Sequence, residues 1–198
     1  MEMKAFNRWS TEGIKVDDPG LVRYIQIQPR IVPRSGAKYA GRDFHKSRTF
    51  IVERLMNKLM GTGHKGKKHV TSSGHNTGQG LNAYAITEKT LGIIETKTKE
   101  NPIKILVKAI ENAAPREEII TIEYGGARYP KAVECAPQRR VDIALRQMTQ
   151  GAAQKSFKSK RVIEETLAEE IINAFNMNGA SQAISKKLET ERQADSSR

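Results

Sequence analysis

Asn101-Pro102-Ile103-Lys104-Ile105-Leu106-Val107-Lys108-Ala109-Ile110-Glu111-Asn112-Ala113-Ala114-Pro115, continuing as Arg116-Glu117-Glu118-Ile119-Ile120-Thr121-Ile122-Glu123-Tyr124-Gly125-Gly126-Ala127-Arg128-Tyr129, is where the chain changes its period. Asn101 is an N-cap, Pro102 suits the first turn, and Ile103, Leu106, Val107 and Ile110 recur at helical spacing until Pro115 stops the run. Ile119 to Tyr124 is then β-rich, Gly125-Gly126 makes a turn, and the chain returns through Tyr129 to Cys135 before Pro137. That is a hairpin over 118–135. An isolated hairpin is marginal, so it must rest on helices or on a partner.

Outward from this pair, helical periodicity dominates. Ile51, Val52, Leu55, Met56, Leu59 and Met60 form one stripe, with Arg54 and Lys58 on the other face. A loop rich in Gly, Ser, His and Lys follows from Gly61 to Gly80, then a helix carrying Leu81, Ile86, Ile93 and Ile94. Beyond the hairpin, Val141, Ala144, Leu145 and Met148 mark a fourth helix. Val162, Ile163, Leu167, Ile171, Ala174 and Phe175 mark a fifth, ended by Gly179, and Ala183, Ile184 and Leu188 a shorter sixth. The fold class is therefore mainly α: a bundle of about six helices with a protruding β-hairpin. Residues 1–47 carry breakers at Pro19, Gly20, Pro29, Pro33, Gly36 and Gly41 and read as an extended N-terminal arm whose order depends on a partner.

The chain of 198 residues holds 34 Lys+Arg against 22 Asp+Glu, and its net charge of +12 calls for a polyanion. Between residues 23 and 68 twelve bases stand against Asp43 and Glu53, a local excess of +10. Between 136 and 161 seven bases stand against Asp142, an excess of +6. The acids Glu164, Glu165, Glu169 and Glu170 share a helix without bases, which should face solvent or a protein and avoid phosphate. No apolar run approaches the roughly 20 residues that span a bilayer, and the N-terminus lacks the apolar core of a signal peptide. Cytoplasm is the expected compartment. Cys135 stands alone and reads as a small buried hydrophobe.

The string Gly61-Thr62-Gly63-His64-Lys65-Gly66-Lys67-Lys68 imitates a phosphate loop, but Lys68 stands where a magnesium-ligating hydroxyl belongs and a helix precedes it where a strand is needed. Its glycines and its lysines, Lys65, Lys67 and Lys68, suit RNA backbone phosphates better. His45, His64, His69 and His75 lack ligand spacing, so no metal is expected. No nucleophile or carboxylate pair has a context that would activate it, so neither an enzyme nor a cofactor is expected. Arg116 at the hairpin base, Arg128 and Tyr129 near its tip and Lys131 on the return strand could enter a groove or stack on a base. Arg139 and Arg140 begin a helix, where positive charge opposes the dipole and a nearby anion would relieve the conflict. A nucleotide hydrolase on the 61–68 loop and a DNA-binding chromatin or transcription protein remain as rivals.

Trp9-Ser10-Thr11, Gln28-Pro29-Arg30-Ile31-Val32-Pro33-Arg34, Ile51-Val52-Glu53-Arg54-Leu55, Gly66-Lys67-Lys68, Glu100-Asn101-Pro102-Ile103, Pro115-Arg116-Glu117, Pro137-Gln138-Arg139-Arg140 and Leu167-Ala168-Glu169-Glu170-Ile171 occur in an order and spacing that carry a resemblance. The chain resembles the small-subunit ribosomal protein S seven family, in its archaeal and eukaryotic branch. The resemblance implies an arm over 1–47 and a helical RNA-binding domain over 48–198. It implies binding to the 3′ major (head) domain of small-subunit rRNA, with the hairpin near messenger RNA, exit-site transfer RNA and ribosomal protein S eleven. By position, the candidate RNA contacts are Arg34, Lys38, Arg42, Lys46, Arg48, Lys65, Lys67, Lys68, Arg116, Arg128, Tyr129, Lys131, Arg139, Arg140, Arg146, Lys158 and Arg161.

Overall fold

The computed structural model describes residues 3–198 apart from 37, 39, 66, 67, 70–73 and 75. In chain order the helices are α1 (Ile51–Leu59), α2 (Gly80–Thr98), α3 (Pro102–Ala113), α4 (Pro137–Ser156), α5 (Ile163–Phe175) and α6 (Gln182–Asp195). The strands are β1 (His64–Lys65), β2 (Lys68–His69), β3 (Glu117–Tyr124) and β4 (Ala127–Glu134), and β1–β2 and β3–β4 form two separate antiparallel pairs. The mainly helical bundle with one projecting hairpin is the architecture read from the sequence.

α3 is the axis of the molecule. The Asn101 side chain accepts a hydrogen bond from the Ile103 N–H at 3.0 Å, capping the first turn, while its amide donates to the Ser10 carbonyl at 2.6 Å. Ile103, Ile105, Leu106, Val107, Ala109 and Ile110 are all buried, because α2, α4, α5 and α6 close around the helix. Only a narrow polar edge, with Lys104 exposed and Lys108 half-buried, is left to solvent. α4 and α5 add Val141, Leu145, Met148, Leu167 and Ile171 to the same core.

α2 departs from its expected stripe. Leu81 points to solvent, and the inward face is Ala83, Thr87, Thr90, Leu91 and Ile94. The threonines can be buried because each hydroxyl donates to a carbonyl four residues back, Thr87 to Ala83 at 2.8 Å and Thr90 to Ile86 at 2.7 Å, leaving a methyl for the core. In α6, Leu188 is likewise exposed and Ala194 is buried.

Part of the N-terminal segment, expected to take its order from a partner, is packed on the helices themselves. Ala5, Phe6, Trp9, Leu21 and Ile25 belong to the core. Trp9 stands edge-on to Phe6 with ring centres 5.8 Å apart, and its indole N–H donates to Glu95 at 3.1 Å. The Asp17 N–H donates to Glu111 at 2.6 Å, and the Ile51 N–H to the Gln26 carbonyl at 2.9 Å. Beyond Arg30, Ile31 and Val32 are exposed and Pro33 is buried, before a short 3₁₀ turn at His45–Arg48.

β3 and β4 pair from Glu117↔Glu134 to Tyr124↔Ala127 across a two-residue turn. Gly125 and Gly126 have φ of 58° and 83°, the left-handed pair that a tight hairpin of this hand requires. The base leans on α6, where Arg198 reaches Glu117 at 2.5 Å, while every residue from Thr121 to Pro130 is exposed. Cys135 is buried as expected, and burial beside Glu118 pushes its thiol up to about 11.

Candidate nucleic-acid interface

The two basic blocks are far apart in sequence, and the packing of α1 against α4 brings Arg146 of the second up to the first. Asp142 on α4 is where they meet. Its carboxylate takes Lys46 at 2.9 Å, Arg54 at 3.3 Å and Lys58 at 3.8 Å. Burial pushes the Asp142 carboxyl up, but the Lys46 hydrogen bond and the charges of Lys58 and Arg54 outweigh it and hold the group below its ordinary 3.8. Arg146, one turn further along α4, is exposed and close enough to Lys58 to act on its charge.

The arm adds to the same side. The buried Glu53 carboxylate on α1 accepts from the Ser35 N–H at 2.7 Å and the Ser35 hydroxyl at 2.5 Å, latching the arm to the helix. Arg34, Ser35 and Gly36 thereby line a pocket with His45, Lys46, Arg54 and Lys58. Lys38, Arg42 and Arg48 are exposed nearby in sequence. Lys65 and Lys68 pair through their backbones in β1 and β2, and Lys67 lies outside the described residues. The 61–68 string thus runs from a helix into a strand ladder, the reverse of the strand-to-helix order that a nucleotide loop needs.

Other candidates stand elsewhere. α4 has 20 residues, about 30 Å of helix. Arg139 and Arg140 are at one end and Lys158 and Arg161 lie past the other. Arg140 is buried and committed internally: its Nε donates to the Pro115 carbonyl at 3.0 Å and its Nη2 to Asp18 at 2.7 Å. Arg139 binds both oxygens of Glu118 at 2.8 Å. The anions that the sequence asks for at this helix N-terminus are therefore carboxylates of the chain itself. Arg161 pairs with Glu169 at 2.9 Å, and the Lys158 ammonium lies 5.7 Å from the Phe157 ring centre.

On the hairpin, Arg116, Arg128, Tyr129 and Lys131 are all exposed, and Arg128 faces Glu123 across the strands at 3.6 Å. Sequence reasoning missed Tyr124, which is 81% exposed beside the turn. Period two places Ile120, Ile122 and Tyr124 on one face with Tyr129 and Lys131 opposite them, an alternation that could have revealed it. Arg54, Lys58 and Asp142 were also missed as a unit, because their meeting depends on helix packing.

The acidic helix is not uniformly turned to solvent. Glu170 is fully buried, bound to Lys155 at 2.9 Å and accepting from the Gln182 N–H at 3.1 Å. Glu164 pairs with Lys89 at 3.6 Å, while Glu165 is exposed.

A family model described as ribosomal protein S7p/S5e matches residues 21–198. The small ribosomal subunit protein uS7 of Nanoarchaeum equitans is 56% identical over 198 residues, covering 100% of both chains. Its namesake in Archaeoglobus fulgidus is 45% identical over 100% of this chain and 96% of its own. In Methanothrix thermoacetophila the figure is 46%, over 99% of this chain and 100% of that one.

Proposed function

Because this chain belongs to the ribosomal protein S7p/S5e family, we propose that it is a structural constituent of the small ribosomal subunit in the cytoplasm, and not an enzyme. It binds the 3′ major (head) domain of the small-subunit rRNA and starts assembly of the head. The observation that carries this is the basic surface where the arm, α1 and α4 meet, with Lys46, Arg54 and Lys58 sharing Asp142 and Arg146 beside them, a surface suited to a large folded polyanion. Lys and Arg from different elements neutralise phosphates of different RNA helices, and RNA shape supplies specificity. The hairpin reaches toward messenger RNA and exit-site transfer RNA beside ribosomal protein S eleven. Its exposed Tyr124 and Tyr129, flanked by Arg128 and Lys131, suit stacking on unpaired bases.

Binding of the intact chain to a transcript of the head domain, measured across salt, tests this. Affinity should fall by roughly 0.7 to 0.9 log units per log unit of salt for each phosphate contacted. A flat salt response, or duplex DNA competing as well as the transcript, contradicts the reading. Footprinting on the small-subunit RNA should give protection confined to the head.

A further inference from the structure

Clefts in the described surface differ in charge. The cleft beside Trp9 is lined by Arg8, Lys89 and Lys97 against Glu95, Glu164 and Glu165, and is balanced. The cleft between α1, α2 and the start of α5 has Glu164 as its one charged side chain. The third, about 380 Å³ between α1, α4 and the arm, is lined by Arg34, Lys46, Arg54 and Lys58 against Glu53 and Asp142. That volume lies in the range of ligand pockets, roughly 300 to 1,000 Å³, and its charged side chains are cationic in balance.

An ordinary ion pair matches one charge with one. Here three cations share the single carboxylate of Asp142, while Glu53 takes Ser35 on Oε1 and its buried Oε2 has no hydrogen-bond partner among the described residues. The surplus is not free to disperse. Arg54 is 4% exposed, with Nη1 fixed on the Tyr24 carbonyl at 2.8 Å and Nη2 on Asp142, while its buried Nε holds no partner among the described residues. Burial, together with the charges of Lys46, Arg146 and Arg54, pushes the Lys58 ammonium below its usual 10.5 despite the pull of Asp142. A second anion at the mouth would relieve this crowding.

We propose that this pocket is a preformed seat for one RNA backbone phosphate, gripped by Lys46 and Lys58 and held in shape by Arg54 and Asp142. The proposal rests on the RNA-binding reading above and adds to it a defined site in which Asp142 positions the cations and Lys58 touches the phosphate. The seat reads charge and carries no base specificity, so it fixes register on the RNA.

The test measures affinity of the full chain for the head-domain transcript over a range of salt. Lys58→Gln should weaken binding about tenfold and flatten the salt slope by roughly 0.7 to 0.9. Lys104→Gln, the same charge loss on the exposed side of α3, should change neither. An uncharged methylphosphonate at the seated linkage should weaken the wild type as much as Lys58→Gln does, and should cost that variant nothing more. If circular dichroism shows Lys58→Gln misfolded, Lys46→Gln, whose side chain is 43% exposed, is read in the same way. A wild type that binds with a steep salt slope, left unchanged by these variants, overturns the seat and leaves the RNA reading standing. A wild type with no salt-dependent binding overturns the RNA reading itself. Inorganic phosphate binding that Lys58→Gln abolishes while the RNA slope stays intact would mark a free-anion site and overturn the assignment to RNA.

Discussion

Gly151→Ala should destabilise this protein although it puts the best helix former in place of a poor one. In an exposed helix interior the exchange gains about 1 kcal/mol. Gly151 lies in α4 where α5 and α6 close upon it, and an added Cβ would stand 2.6 Å from Glu170 Oε1, 2.9 Å from Gln182 Cβ and 3.0 Å from Glu170 Cδ. Glu170 cannot simply step aside. Its carboxylate is bound to Lys155 at 2.9 Å and receives the Gln182 N–H at the start of α6, where the N-cap Ser181 makes no side-chain cap. Overpacking costs roughly 1 to 3 kcal/mol, and loosening a hydrogen bond to a buried charge costs roughly 1.5 to 3 kcal/mol. Subtracting the propensity gain leaves a net loss of about 1.5 to 5 kcal/mol. At about 2 to 4 °C per kcal/mol for a chain of this size, Tm should fall by roughly 3 to 20 °C. Thermal unfolding followed by far-ultraviolet circular dichroism reads this directly. Gly92→Ala in α2, where an added Cβ meets nothing within 4 Å, is the control and should hold or raise Tm. Equal gains at both positions would refute the close packing of α4 on Glu170.

Trp9→Ala should cost about 3 to 5 kcal/mol, the loss of a large buried aromatic, although Trp9 belongs to an arm without periodicity; chemical denaturation measures it, and a loss under 1 kcal/mol would contradict the packing of the arm. Cys135, its thiol pushed up to about 11, should resist alkylation by iodoacetamide at mildly alkaline pH and react once denaturant is added; rapid labelling of the native chain would show the site open. Asp142 has a folded-state pKa below 3.8, so its stabilisation is complete above the unfolded value and is lost as pH falls through the folded one. Wild type and Asp142→Asn should therefore differ in urea midpoint near neutrality and converge in acid below 3.8, and a gap unchanged in acid would separate Asp142 from this titration.

Where a single period governed a segment, the sequence was readable. The α3 helix with its Asn101 cap, and the hairpin with its Gly125-Gly126 turn, stand as local chemistry requires. Trp9 and Phe6 escaped notice as core residues because their partners, Glu95 and Tyr84, come from α2, and no local pattern marks a docking that distant. Thr87 and Thr90 were overlooked for another reason: a hydroxyl satisfied by its own helix behaves as an apolar group.

Charge was the least readable property at the level of single residues, and the reason bears on function. Arg139, Arg140 and Arg146 lie on the same helix, yet Arg139 is tied to Glu118, Arg140 is buried on Asp18 and Pro115, and Arg146 faces solvent near Lys58. Nothing in their sequence neighbourhood separates these fates. The separation is made by which carboxylate the fold delivers to each: the arm brings Asp18 to Arg140, and the hairpin base brings Glu118 to Arg139. What the fold leaves under-neutralised is the side of α1 that meets α4, where Lys46, Arg54 and Lys58 must share Asp142. A basic protein built this way spends its acids on holding its elements together at the hairpin base, and it concentrates its unbalanced charge where α1, α4 and the arm converge. The net charge of +12 therefore measures less about RNA affinity than the placement of a few carboxylates does.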